Sequence, residues 1–260
     1  MSTNRDKGLR RFWVDLHVHT VLSPCAALDM GAPEILARCR EEEISVIAVT
    51  DHNHAGNAPA LSHAASNGKE NSKRPLVLSG MEIQSMEDIH IVLVFPDHGR
   101  AAEFMEWLWL KMPPIQNDED VFGYQLVIDQ ENNVTDQVST LLIQGAQYSV
   151  DEIAKRGMDA GALVIPAHLD RPAFSYEAVL GRLPDGFPCS AVELSPNVSH
   201  SDLLMWKERY PDRAIVRSSD AHEISDISSS RCTPMLLAEP SFDEVKLALQ
   251  NRMGRKVLIP

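Results

Sequence analysis

The segment Trp13-Val14-Asp15-Leu16-His17-Val18-His19-Thr20 carries the most suggestive chemistry in the chain. Successive side chains of a strand point to opposite faces, so Asp15, His17 and His19 are expected on one face and Val14, Leu16 and Val18 on the other. Two imidazoles on one rigid backbone suit a single divalent ion, because a strand fixes ligand geometry more tightly than a loop. A half-buried strand that merely carries two histidines accounts for the pair equally well. The rest of the chain shifts the balance. Apolar runs also lead into Thr50-Asp51-His52, Gly80-Met81-Glu82, Ala167-His168 and Ser219-Asp220-Ala221-His222. Asp220 and His222 repeat the spacing of the opening pair. Separate apolar segments that all finish in His, Asp or Glu point to one shared task, and metal binding is the task those residue types perform together.

The elements that would position these residues alternate along the chain. Gly31-Ala32-Pro33-Glu34 opens a helix with proline in its first turn, running to about residue 43. Val46-Ile47-Ala48-Val49 then reads as a strand buried on both faces. Residues 76–78, 89–95, 163–165, 191–194 and 215–216 supply further strands, seven in all with the first two. Residues 101–112 are helical by composition, and Ser149-x-x-Glu152 and Ser241-x-x-Glu244 read as capping boxes of two more helices. In a parallel barrel every strand C-terminus opens on one face, where active sites are built. His17, His19, Asp51, His52, Glu82, His168, Asp220 and His222 are therefore expected in one bowl. Residues 113–147 break the rhythm with a hairpin-like piece around 124–133. So long a connection is expected to form a cap beside the site, a surface excursion being the competing reading.

With 260 residues and 44% hydrophobic content, the chain is expected to fold as one α/β domain. The formal charge of −13 disfavours sequence-independent binding to duplex nucleic acid, where a basic footprint is expected. A mononucleotide or short oligonucleotide needs only local positive charge, which bound divalent ions supply. The four cysteines form no Cys-x-x-Cys pair, which argues against a zinc knuckle or disulfide scaffold and for a reducing cytoplasm. The polar, basic start over residues 1–11 lacks a following apolar stretch, and no apolar run is long enough to span a bilayer, so no membrane partner is expected.

Asp15-Leu16-His17-Val18-His19, Thr50-Asp51-His52-Asn53, Gly80-Met81-Glu82-Ile83, His168 after its apolar strand, and Ser219-Asp220-Ala221-His222 resemble, in order, the motifs of the polymerase and histidinol phosphatase (PHP) superfamily. Leu22-Ser23-Pro24-Cys25-Ala26, Asn57 and Ala167-His168-Leu169-Asp170-Arg171-Pro172 further resemble a bacterial and archaeal subgroup described only as PHP domain proteins. The resemblance implies a distorted (β/α)7 barrel with two or three divalent ions at the strand C-termini, and imidazole and carboxylate ligands together suit zinc, manganese or iron better than magnesium. One ion would be held by His17, His19, Glu82 and Asp220, and Glu82 would bridge to a second held by His90 and His168. His52 and His222 would take a third. Its remaining ligand is replaced here by Ser23-Pro24-Cys25, which leaves Cys25, Asp29 or a weak site, with a small buried cysteine the favoured role for Cys25.

Paired divalent ions can share a hydroxide and clamp the entering and leaving oxygens of an in-line displacement. The expected activity is thus hydrolysis of a small phosphate ester by a metal-bridging hydroxide, with a nucleotide or an oligonucleotide end among the candidates. Arg171, three residues past His168, is the first choice for orienting the phosphate through its planar fork, with Arg217 and Arg231 behind it. His54 would protonate the leaving oxygen or touch substrate, unless it is an idle loop histidine. Asp15 and Asp51 would fix imidazole tautomers, and Glu193 is a candidate to join them. His63, His98 and His200 fall outside every motif. The rival readings are a non-catalytic, metal-stabilised module and an amidohydrolase-like hydrolase of carbon–nitrogen bonds.

Overall fold

In the computed structural model, which describes residues 8–67 and 74–258, the apolar runs become strands and the capped segments become helices. The order is β1 (Arg10–Val18), α1 (Ala32–Glu41), β2 (Ile44–Val49), α2 (Ala58–Asn67), β3 (Leu76–Gln84), β4 (His90–Phe95), α3 (His98–Trp109), α4 (Glu119–Phe122), β5 (Leu126–Ile128), β6 (Val134–Gln137), α5 (Val150–Asp159), β7 (Leu163–Pro166), α6 (Tyr176–Leu180), β8 (Val192–Leu194), α7 (His200–Arg209), β9 (Ile215–Arg217), a 3-10 turn (Ile224–Asp226), β10 (Thr233–Leu237), α8 (Phe242–Leu249) and β11 (Lys256–Val257). Ser149 and Glu152 make both bonds of the capping box that opens α5, and Ser241 accepts from Glu244 N at the start of α8. Most of the polar, basic start, residues 1–7, lies outside the described residues.

Seven strands form one curled sheet in the order β11-β10-β1-β2-β3-β4-β7, and β8 pairs with β9 in parallel. Strands β1, β2 and β3 run parallel, as expected of crossover units. Two departures matter. Strand β4 is antiparallel to both β3 and β7, so its first residue, His90, comes to the end where β3 and β7 finish. Strand β10 returns antiparallel along the first half of β1, while Val18 at the tip of β1 bridges in parallel to Ala221 beyond β9.

The apolar residues divide into an inner and an outer layer. Val14, Leu16, Val46, Ala48, Leu78, Val92, Val94 and Ile165 share one buried cluster. Ile47, Val49 and Val77 pack instead with Ile35 and Leu36 of α1 and Leu61 of α2. Val18 belongs to this second group, not with Val14 and Leu16 as simple alternation predicts. A register shift against β2 between Asp15 and Val18 accounts for the change of face, and such irregularities re-aim side chains near functional sites.

Between α3 and α5, β5 and β6 form an antiparallel hairpin turned at Asp129, whose carboxylate accepts from Glu131 N and Asn133 N. The hairpin is tied to the loops after β1 and β2. Leu126 N donates to Val21 O, and buried Asn57 donates to Leu126 O and accepts from Ile128 N. Asn53 in turn donates to Leu142 O and Gln144 O. Among the described residues no helix is long and apolar enough to cross a membrane.

Candidate metal centre

The strand ends bring His17, His19, His52, Glu82, His90, His168, Asp220 and His222 together, and all but His90 and His222 are nearly sealed from solvent. Backbone bonds set the relative positions. Glu82 N donates to Thr50 O and Asp51 O, while Asn53 N returns to Glu82 O, which locks β3 against the tip of β2. His19 N donates to Ala221 O, joining β1 to the segment after β9. His168 and Asp220 leave their strands with φ of +31° and +49°, a left-handed backbone that non-glycine residues keep where a site demands it.

Glu82 is the hub. Its Oε1 lies 2.8 Å from His90 Nδ1, 3.2 Å from His168 Nε2 and 3.4 Å from His17 Nε2. Its Oε2 lies 3.1 Å from His52 Nδ1 and 3.4 Å from His19 Nε2. Asp220 Oδ1 stands 3.3 Å from His17 Nε2 and 3.2 Å from His19 Nε2. Within 4.8 Å of one another fall the donor atoms of three groups: His17, His19, Glu82 and Asp220; Glu82, His90 and His168; and His19, His52 and His222.

The outward nitrogens of the first pair are held by other residues. His17 Nδ1 is 3.0 Å from Glu193 Oε1, and His19 Nδ1 is 2.9 Å from Ser23 Oγ, which donates to Asp51 at 2.7 Å. Each ring thereby turns Nε2 inward, and the two Nε2 atoms face each other at 3.1 Å. Glu193 also accepts from His168 N. Asp51 acts on His19 through Ser23, a link no spacing rule anticipates. Asp15 departs from expectation: it accepts from Ser219 N and from His17's own backbone N and meets Cys232 Sγ, not an imidazole. The register shift between Asp15 and Val18 separates its direction from that of the two rings.

The electrostatics follow from crowding opposite charges in a dry site. Burial raises the Glu82 carboxyl, but His90, His17 and His52 outweigh it and hold the group well below the usual carboxylate range. Asp220 is likewise raised by burial and pulled well down by His17 and His19. Burial lowers His17, yet Asp220, Glu193 and Glu82 carry it well above the usual value. For His19 the same opposition, with bonds to Asp220 and Glu82, ends at about 9. His52 is driven well down by burial, and His222 falls to about 4 through burial and the neighbouring His19.

Divalent ions fit this donor set. Imidazole nitrogens and carboxylate oxygens converge within 4.8 Å of one another, and His52 Nδ1 is buried beside Glu82 with no hydrogen bond. His52 Nδ1 is near Glu82 but outside bonding geometry. Neither Cys25 nor Asp29 belongs to a described donor group. Cys25 is exposed, not a small buried filler, and crowding by surrounding protein with the field of Glu82, Asp220 and Asp51 keeps it a thiol.

Arg171 reaches the rim, with Nη2 2.5 Å from Asp220 Oδ2. Arg231 is engaged by Asp226, and Arg217 lines a separate cavity of about 840 Å3 with Lys207, Arg213 and Lys256. His54 stands outside the donor groups, its Nδ1 accepting from Gly56 N and its ring edge-on to Trp109 at 5.4 Å. Burial lowers its pKa to about 4, so its imidazole is neutral near pH 7. His63 and His98 also lie outside the donor groups.

No family model and no curated protein sequence matches the chain. Solved structures do. The lesion-specific endonuclease Q of Pyrococcus furiosus superposes with a TM-score of 0.67 at 17% identity, over 95% of this chain and 58% of that one. An endonuclease Q in complex with a 27-mer duplex substrate, an abasic lesion at its active site, gives 0.68 at 17% identity with the same coverage. A two-domain protein from Bacteroides vulgatus, described as containing a predicted PHP-like metal-dependent phosphoesterase, gives 0.54 at 12% identity over 97% of this chain and 66% of that one. The chain thus spans somewhat more than half the length of the endonuclease Q chains. The expectation that duplex nucleic acid is excluded as a partner is overturned, since a chain of this fold holds a duplex. Net charge is a sum over the whole surface, whereas a duplex is met by one face, where clustered cations offset distant carboxylates. The chain has the α/β fold of the PHP-like metal-dependent phosphoesterases, with a cluster of histidine, glutamate and aspartate side chains at the strand ends that can bind metal.

Proposed function

We propose that the chain is a metal-dependent phosphoesterase acting on a phosphate ester, nucleic-acid phosphates included. The observation that carries the reading is Glu82, whose two oxygens are ringed by five imidazoles at 2.8 to 3.4 Å. A carboxylate so placed is suited to bridge two cations. In this reading His17, His19, Glu82 and Asp220 would hold one ion, and Glu82, His90 and His168 would hold the next. His19 commits its Nδ1 to Ser23, leaving only Nε2 to coordinate. A third ion beside His52 and His222 would therefore be the weakest held. Mixed imidazole and carboxylate donors suit zinc, manganese or iron better than magnesium. When bound, such ions supply Lewis acidity, lowering the pKa of water and neutralising charge on the phosphoryl oxygens.

The chain's own residues do the positioning. Glu193 and the Ser23–Asp51 pair keep Nε2 of His17 and His19 turned inward. Arg171 orients the phosphate from the rim beside Asp220. His54, neutral near pH 7 and with Nδ1 accepting from Gly56 N, would carry its hydrogen on Nε2 and serve as the donor to the leaving group. The barrel staves are β1, β2, β3, β4, β7, β8 and β9 of a distorted seven-stranded barrel in one domain, and residues 113–147 are a flap on its rim. The bonds of Asn57 and Asn53 to that segment support the flap assignment. The test is phosphate release from p-nitrophenyl phosphate by manganese-loaded wild type and His17→Ala. A loss of at least about 100-fold is expected for the variant; equal rates would leave only a non-catalytic module.

A further inference from the structure

The loop between β7 and α6 holds two side chains against the donor cluster, of which only Arg171 has a role so far. Three residues on, Phe174 lays its ring on His90, centroids 4.9 Å apart and planes within 27°. The residue is 44% exposed, so one face of its ring covers the imidazole while part of the side chain remains open to solvent. Its backbone sits at φ +57°, in the left-handed region, which a bulky non-glycine residue adopts only under compulsion. Strain of this kind concentrates where a side chain must be aimed.

The compulsion is visible in the loop's anchors. His90 N donates to Phe174 O at 2.8 Å, Ser175 Oγ donates to Arg171 O at 2.8 Å, and Arg171 N donates to His168 O at 2.9 Å. Asp170 accepts from both Ser195 N and Ser195 Oγ. A loop pinned at so many points presents its ring and its guanidinium in fixed relation. One short segment thus offers a cation beside Asp220 for a phosphate and an aromatic face beside His90 for a flat group attached to that phosphate. Phosphate with a flat aromatic neighbour is the chemistry of a nucleotide, and stacking on a protein ring is tolerant of which base is present.

We infer that Phe174 is a specificity-determining residue, a stacking platform for the nucleobase adjoining the phosphate that the metal centre takes. This rests on the phosphoesterase reading for the placement of the phosphate, but it makes a separate demand, a preference for a base over a bare sugar. A purely structural role, covering His90, would be met by any apolar side chain of similar volume.

The test is calorimetric binding to manganese-loaded protein of thymidine 5′-monophosphate, thymidine 3′-monophosphate and deoxyribose 5-phosphate, for wild type, Phe174→Leu and Phe174→Trp. Wild type is expected to bind at least one thymidine nucleotide about tenfold more tightly than the sugar phosphate. Leucine should abolish that preference while keeping an apolar cover on His90, and tryptophan should restore it. The inference is overturned if wild type shows no preference, if none of the three binds at millimolar concentration, if leucine weakens all three equally, or if leucine keeps the preference. A clear preference in a protein that hydrolyses no phosphate ester would overturn the catalytic reading and leave the platform standing. Hydrolysis without preference would do the reverse.

Discussion

At the scale of single residues the site depends on groups that touch no ion in the proposed arrangement. Glu193 holds His17 by Nδ1 and His168 by its backbone N, so it orients two proposed ligands at once. Glu193→Gln keeps the shape but loses the charge that favours a ring hydrogen on Nδ1. Metal affinity, read by competition with a chelating dye, should fall about 10- to 100-fold, and an unchanged affinity would remove Glu193 from the account. His54 gives the pH dependence. Its pKa is about 4 in the folded chain against a usual value near 6.5, so folding favours the neutral ring. The contribution of His54 to the stability of the metal-free protein should therefore be intact above pH 6.5 and fall by up to about 3 kcal/mol as pH drops toward 4. His54→Gln should remove that part of the slope in urea titrations across the same window. The ligand types were legible from sequence because His, Glu and Asp at the ends of apolar runs have few other reasons to recur. The Ser23 link and the Phe174 ring were not, since each depends on a contact across loops.

At the scale of elements, strands that run from one layer of core to another were readable from their β-branched residues, and the two capping boxes marked α5 and α8. Direction was not readable. Strand β4 is as apolar as its neighbours, and nothing in the run His90–Phe95 tells that it pairs antiparallel on both sides. Yet that reversal is what delivers His90. Strand β10 was missed because Pro234 interrupts the pattern at its second residue, next to the start of the strand, where it lies opposite Trp13 of β1. The hairpin of β5 and β6 hangs on Asn57, whose amide serves Thr20 Oγ1, Leu126 O and Ile128 N together. Asn57→Ala should destabilise the protein by about 1 to 3 kcal/mol by leaving these buried groups unpaired. Hydrogen exchange should report faster opening at Ile128 in particular, and equal protection in both proteins would contradict the anchoring role.

At the scale of the whole molecule, the fold collects carboxylates and imidazoles from segments more than two hundred residues apart into one buried cluster, at a cost that a bound cation would relieve. Ligands that bind only the folded chain raise its stability by mass action, so adding manganese to chelator-treated protein should raise Tm in proportion to the logarithm of concentration. The sequence's acidity misled only where a total was taken for a local property, and the exclusion of duplex partners fell with it. The most direct test of the central claim is elemental analysis of wild type and Glu82→Gln after reconstitution with manganese or zinc and removal of free ions. Wild type should retain about two ions per chain, and the variant, deprived of the bridging charge, should retain at most one. Equal retention by both proteins, or none by wild type, would contradict the account.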